Sequence, residues 1–332
     1  MKKKYLYYSA LFIIATLLLS LLFFNTKDDQ ISVPLRYGSV RAIVEAPAHV
    51  AYHNGFFQDE GLNVSLEINP DGKTSLDRLL LDSIDIASVM ATPVVFRSFR
   101  SDDFYIIGVM EFSEKIHSGI AHKDRGIHLP VDLKGKNVGV MKGTSGEFYM
   151  NSFLILHDLI PEDLNIVDMN GPQMLDAMVS GDLDAMFCWE PYILLAKLEM
   201  DSSWIEFTSD KLIPSSWVFV ARKNYVDDNP EIIKKFLKSI LEGTRFTNEQ
   251  KEQTLNIHSQ MADVNKDHIK ELLYKQTFNL SLKQELILDL EAQARWLVDF
   301  EYVPDSVIPD FYNIIYLDAV KEIVPDQANF IK

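Results

Sequence analysis

Two loops in this sequence combine donors, aromatic faces and a carboxylate at spacings that could hold a small molecule. The first is Met141-Lys142-Gly143-Thr144-Ser145-Gly146, where a strand pattern gives way to a helix pattern. Free N–H groups and the positive end of a helix dipole make such a junction an anion or acceptor site. Gly143 and Gly146 allow close backbone approach, and the Thr144 and Ser145 hydroxyls add donors. The same residues also read as an ordinary helix start, with Ser145 as the cap and Glu147 in the first turn. The second loop is Trp189-Glu190-Pro191-Tyr192. Its aromatic faces suit a planar ring, and Glu190 could accept from an amine or a ring N–H. Equally, Trp189 and Tyr192 could be core, with Glu190 capping the next helix. Thr92, in Ala91-Thr92-Pro93, and Ser39, after Gly38, occupy comparable strand ends and are further candidates. Thr92 could instead serve only as a helix cap.

Other chemistry-bearing residues assemble less. His49 and His53 have the i,i+4 spacing that can ligate a metal from one helix face. No third ligand lies near them in sequence, so no metal site is assigned. His117, His122 and His128 read as surface residues of a crossover and a loop. Cys188 is the one cysteine, so no intramolecular disulfide can form. Acting as a nucleophile, it would need an activating base that nothing in the sequence supplies. No catalytic residue is assigned.

The elements that must position these loops alternate between two periods. Leu35–Gly38, the alternating Leu62–Ile68, Asp85–Val89 and Phe104–Met110 read as strands. Ala48–Phe57, Thr74–Asp82 and Thr92–Arg100 read as helices. The pattern then restarts, with strands at Asn137–Met141, Leu164–Met169, Asp184–Phe187 and Trp204–Phe207. The helices between them fall at Ser145–Leu159, Pro172–Val179 and Tyr192–Leu198. Trp217–Ala221 is apolar and β-rich, and helical spacing dominates from Pro230 to about residue 300. Strands alternating with helices of this length imply an α/β protein with parallel sheets covered by helices. Residues 79–93 (LLLDSIDIASVMATP) and 178–191 (MVSGDLDAMFCWEP) echo one another. Any two βα units look this similar. The echo also fits two like lobes, each presenting a loop at the carboxyl end of a parallel strand, where open α/β sheets bind ligands.

Composition limits the partners. The chain has 332 residues, enough for about two domains at ordinary domain size. Its net charge of −16 argues against holding a nucleic-acid backbone by counterion release. The N-terminus has a different character: Lys2, Lys3 and Lys4 precede an uncharged apolar run from Tyr5 to Phe24. This is the pattern of a bacterial export segment, spanning about residues 1–27. No A-x-A site precedes Lys27, and about 20 apolar residues suffice to span a bilayer. A cleaved signal and a retained membrane anchor therefore both fit. Either places residues from about 28 onward outside the cytoplasm, in the periplasm or on the outer face of the cytoplasmic membrane.

Five segments carry a family resemblance. They are Ala51–Val64 (AYHNGFFQDEGLNV), Leu81–Ala87 (LDSIDIA), Asp132–Val140 (DLKGKNVGV) with Gly143-Thr144-Ser145, Gly181–Ala185 (GDLDA) with Trp189–Tyr192 (WEPY), and Asn229-Pro230-Glu231 opening a helix. In this order they resemble the substrate-binding proteins of ABC importers for nitrate, sulfonates and taurine, and for pyrimidine precursors of thiamine. Ser83 stands where the family's first repeat has glycine. The loop Ser39–Pro47, with Arg41 and Glu45, follows no family pattern.

The resemblance implies a two-lobed periplasmic-binding-protein fold of type II, with a ligand cleft between lobes. The first lobe would comprise 31–113 plus 223–332 and the inserted lobe 114–222. The crossovers would fall near His117–Lys123 and Trp217–Lys223. The implied function is capture of a small organic solute by lobe closure and delivery to an ABC importer permease. No cofactor, metal or nucleic acid is expected, and the protein should be a monomer. Ser39, Thr92, Gly143, Thr144, Ser145, Trp189, Glu190 and Tyr192 are the expected ligand contacts. The GTS loop suits an anionic group such as a sulfonate or phosphate and the WEPY loop a planar amine-bearing ring. The acidic body tips the expectation narrowly toward a thiamine-type pyrimidine over a sulfonate. Two alternatives are a membrane-tethered sensor and an enzyme akin to thiamine-pyrimidine synthases. Those synthases carry a cysteine-rich motif that this chain lacks.

Overall fold

The computed structural model describes residues 32–112, 116–200, 203–208, 216–303 and 307–330. The expected export segment, residues 1–27, lies outside the described residues. Among the described residues no helix is long and apolar enough to cross a membrane.

The chain opens with β1 (Val33–Val40), α1 (Ala46–His53), α2 (Phe56–Asp59), β2 (Leu62–Asn69), α3 (Gly72–Leu80), β3 (Ile86–Met90), α4 (Ala91–Ser98) and β4 (Phe104–Phe112). A second run follows: β5 (His117–His122), β6 (Asn137–Val140), α5 (Ser145–Leu156), β7 (Asn165–Asp168), α6 (Gly171–Ser180), β8 (Ala185–Trp189), α7 (Tyr192–Glu199) and β9 (Trp204–Phe207). It closes with β10 (Trp217–Arg222), α8 (Lys223–Asp228), α9 (Pro230–Glu249), α10 (Lys251–Ala262), α11 (Lys266–Lys275), β11 (Phe278–Lys283), α12 (Glu285–Asp299), α13 (Asp318–Ile323) and β12 (Ala328–Asn329).

These strands form two sheets, a seven-stranded one in the order β12-β11-β4-β10-β3-β1-β2 and a five-stranded one in the order β7-β6-β8-β5-β9. Each is mixed. In the larger, β1 runs parallel to β2 and β3 while β10 runs antiparallel to β3 and β4. In the smaller, β6 runs parallel to β7 and β8 while β5 runs antiparallel to β8 and β9. The result is the two-lobed periplasmic-binding-protein fold, helices covering both sheets. Strands buried on both faces read as continuous apolar runs rather than alternating ones. That is why Ile86–Met90 is buried throughout.

The strand order shows which sheet each expected crossover segment joins. Trp217–Lys223, expected as a crossover, contributes β10 to the middle of the larger sheet, as its unbroken apolar run requires. His117–Lys123, the other expected crossover, contributes β5 to the smaller sheet. Two strands went unread: β11 and the short β12. The alternation Phe278, Leu280, Leu282 marks β11, but helical spacing on either side obscured it. The helix expected over Ala48–Phe57 divides in two, because Gly55 adopts φ +81°.

The echo between the two halves has a structural basis. Asp85 Oδ2 accepts the backbone N–H of Arg36 at 2.8 Å, just ahead of β3. Asp184 Oδ2 accepts that of Asn137 at 2.8 Å, just ahead of β8. Each aspartate also pairs with an arginine, Arg36 or Arg125. The repeated aspartate locks the entry of a central parallel strand in both sheets and lies away from the cleft.

The lobes touch beside the cleft. Phe148 of α5 packs edge-on against Trp296 of α12, ring centroids 5.1 Å apart. Tyr302, just beyond α12, donates its hydroxyl to Glu147 Oε1 at 2.7 Å.

Candidate functional site

The carboxyl ends of β1, β2, β3, β6 and β8 converge on one cleft. From the larger lobe it is lined by Val40, Arg41 and Ala42 after β1, by Pro70, Asp71, Gly72 and Lys73 between β2 and α3, by Val89, Met90 and Pro93 around the start of α4, and by Trp217. From the smaller lobe come Ile116, His117, Thr144, Ser145, Trp189, Pro191 and Tyr192. This is the edge at which α/β sheets present loops and helix N-termini to ligands.

Four of the eight expected residues meet here: Thr144, Ser145, Trp189 and Tyr192. Thr144 is the N-cap residue of α5, and its hydroxyl donates to the Met141 carbonyl at 2.6 Å. The cap position therefore falls on Thr144 rather than Ser145. Ser145 Oγ lies 2.8 Å from His117 Nε2, and the His117 ring stacks on Tyr149 with centroids 5.9 Å apart. Tyr192 rests on Gly171 so closely that a Cβ there would overlap its ring.

The other four do not line the cleft. Ser39 is fully buried and bonded to Glu45 and His49. Thr92 is fully buried in α4, next to the cleft residue Pro93, and its hydroxyl has no hydrogen-bond partner among the described residues. Gly143 adopts φ +73° and donates its N–H to Glu147 Oε2 at 2.7 Å. A Cβ on Gly143 would sit 3.8 Å from Lys73 Cε of the opposite lobe, so this glycine marks the cleft's rim. Glu190 accepts the backbone N–H of Leu194 at 2.9 Å, so its carboxylate serves the first turn of α7.

The structure adds Arg41, Lys73, His117 and Trp217. Arg41 is half-exposed and reaches Asp263 only at 3.9 Å. Lys73 pairs loosely with the exposed Asp77 at 3.3 Å. Asp71, the one acid in the lining, is engaged as the cap of α3, accepting from Thr74 N at 2.8 Å and Thr74 Oγ1 at 3.1 Å. The site therefore offers two accessible cations in a chain of strongly negative net charge. His117, read from sequence as a surface residue, is buried. That burial pushes its imidazole down to about 4, so it is neutral near pH 7. Of these four, only Arg41 carried a signal, as a charge in a loop that fitted no family pattern.

The other candidates are structural. His49 Nδ1 lies 2.9 Å from His258 Nδ1 in the interior, while His53 contacts the side chain of Asn54. No group of three or more His, Cys, Asp or Glu side chains among the described residues could hold a metal ion. Cys188 is fully buried, and burial pushes its thiol well above the usual thiol range.

Fold and cleft together define a two-lobed binding-protein architecture. The chain belongs to the NMT1/THI5-like family, whose model matches residues 43–254. A protein of Bacillus subtilis (strain 168), provisionally named as an aliphatic sulfonates-binding protein, is 24% identical over 232 residues, 69% of this chain and 70% of that one. The taurine-binding periplasmic protein of Escherichia coli (strain K12) is 24% identical over 235 residues, again 69% of this chain and 70% of its own. The periplasmic aliphatic sulphonate binding protein SsuA from Escherichia coli has the same fold. It superposes with a TM-score of 0.75 at 20% identity, covering 86% of this chain and 98% of that structure.

Proposed function

We propose that this chain is an exported, non-enzymatic binding protein that captures a small organic anion of the sulfonate class and hands it to an ABC importer. The observation that carries this reading is the pairing of Arg41 and Lys73 on one side of the cleft with the α5 N-terminus on the other. Cations and helix N-termini both favour an anionic head group. Between them Trp189, Trp217, Tyr192 and Met90 supply apolar surface for an organic body. The named sulfonate- and taurine-binding relatives support the same class.

This reverses the narrow preference for a pyrimidine. That preference leaned on the acidic body, whereas the charges lining the cleft include Arg41 and Lys73, and the one acid among them, Asp71, is engaged as a helix cap. The contacts come from both lobes, so a bound anion would favour the closed arrangement over the open one. Export, whether by a cleaved signal or a retained anchor in residues 1–27, and a monomeric state belong to the same proposal.

Thermal unfolding of the full chain in mild detergent tests it. The panel is taurine, pentanesulfonate, nitrate, hydroxymethylpyrimidine and formylaminopyrimidine. Ligand at 100 times its Kd adds about 2.7 kcal/mol to the folded state. The reading expects a rise in Tm with a sulfonate that shrinks in Arg41→Gln. A rise with a pyrimidine alone would overturn it.

A further inference from the structure

Behind the larger lobe's cleft wall runs a buried polar chain that ligand contact does not explain. Trp217 lines the cleft, yet its Nε1–H donates to Glu45 Oε1 at 2.9 Å. Glu45 is itself almost completely buried. Its Oε2 accepts from Tyr37 Oη at 2.6 Å and from Ser39 Oγ, and the Ser88 hydroxyl faces it too. Ser39 Oγ continues to His49 Nε2 at 3.0 Å, and His49 to His258. His258 lies against the backbone of Arg41, a second cleft residue. The chain thus links Trp217 to Arg41 beneath the site.

A buried carboxylate among hydroxyls and an indole, with no cation at hand, costs stability that an apolar residue of similar size would not. What it supplies is a fixed acceptor. An indole N–H can only donate, and buried without an acceptor it is penalised. The backbone beside Trp217 is held in the same way: Ser216 N–H donates to Asp289 Oδ2 at 2.8 Å, and Ser216 O accepts from Ala91 N–H at 2.8 Å. The Trp217 side chain and the main chain of Ser216 before it are each anchored on a carboxylate.

We infer that Glu45 is a positioning residue for the cleft, holding the Trp217 indole in the one orientation that forms the apolar wall against which a ligand's organic body packs. The inference rests on the reading of the cleft as an organic-anion site.

The test uses the full chain with 15N-labelled indoles. The Trp217 Nε1–H resonance is assigned by its loss in Trp217→Phe. Glu45→Met keeps the bulk and removes the acceptor, whereas Glu45→Gln restores one. The Met variant should shift that resonance upfield and speed its hydrogen exchange, and the Gln variant should hold it near its wild-type position. Pentanesulfonate affinity should fall about tenfold in Glu45→Met and recover most of the loss in Glu45→Gln, since one hydrogen bond and its fixed geometry are at stake. A merely space-filling Glu45 would make the two variants alike, which would overturn the inference. An unmoved resonance in Glu45→Met would overturn it too. Should Glu45→Met not fold, the wild-type spectrum decides. Trp296 Nε1 has no partner among the described residues, so the Trp217 N–H must lie downfield of it and exchange more slowly; equal exchange refutes the assignment. If the wild type binds no sulfonate, the functional reading fails by itself, and the positioning role stands or falls on the resonance.

Discussion

Glu190 and His117 exchanged roles between sequence and structure. Glu190 looked like the ligand's acceptor and caps α7, whereas His117 looked exposed and lines the cleft. A carboxylate ahead of a helix has two uses that sequence cannot separate, because both need the same residue at the same offset. Glu190→Ala should therefore cost about 1 kcal/mol of stability, the usual worth of such a cap, and leave pentanesulfonate affinity unchanged. Urea unfolding and titration check the two halves, and a loss of affinity would return Glu190 to the ligand. For His117 the sign follows from burial. Its folded value is about 4 against an ordinary 6.5, so below about pH 6.5 the unfolded chain gains a proton that the folded chain refuses. Stability is thus lost as pH falls from 6.5 toward 4. His117→Gln should lose about 2 kcal/mol less than the wild type between pH 7.5 and pH 5, measured by denaturant unfolding at both. The equally buried His258 shifts alike in both proteins and cancels from the comparison.

At the scale of elements, the alternating strands and helices were legible because period and length both carried them. Trp204–Phe207 matches its expected bounds, and most other elements fall within a few residues. Gly143-Thr144-Ser145 and Trp189–Tyr192 were found at their strand ends for the same reason. What stayed hidden depends on contacts far apart in sequence. Nothing local places Lys73 opposite Gly143, or ties Ser39 to Glu45 rather than to a ligand. The α6–α7 contact shows how closely elements set the site. A Cβ at Gly171 would meet the Tyr192 ring, and that ring lines the cleft. Gly171→Ala should cost about 1–3 kcal/mol, the range for overpacking, and weaken ligand binding. The stability penalty should vanish in a Tyr192→Leu background; a penalty that persists there would place the strain elsewhere.

For the whole molecule, the question is what holds two lobes in one arrangement. Glu147 connects the loop between β6 and α5 to the opposite lobe: Oε2 takes the Gly143 N–H and Oε1 the Tyr302 hydroxyl, which also accepts from Asn151 Nδ2 at 3.2 Å. Burial raises the Glu147 carboxyl, so removing one of its donors is felt. Tyr302→Phe should cost about 1 kcal/mol of the lobe-to-lobe contact, a several-fold loss of ligand affinity. Small-angle scattering of the unliganded protein should show a larger radius of gyration; an unchanged radius and affinity would deny the contact any part in closure. The acidic body does not decide the ligand's charge. Arg41, Lys73 and the α5 N-terminus act within a few ångströms, while charges beyond about 10 Å are screened at ordinary ionic strength.

Calorimetric titration of the full chain with pentanesulfonate, with hydroxymethylpyrimidine run in parallel, measures whether the cleft holds an organic anion. The sulfonate should bind saturably, one to one, and the pyrimidine should give little heat. In Arg41→Gln/Lys73→Gln the sulfonate affinity should fall at least about tenfold, as expected when two charged hydrogen-bond donors are lost. Saturable binding of the pyrimidine with none of the sulfonate, or sulfonate binding indifferent to both cations, would contradict an organic-anion site.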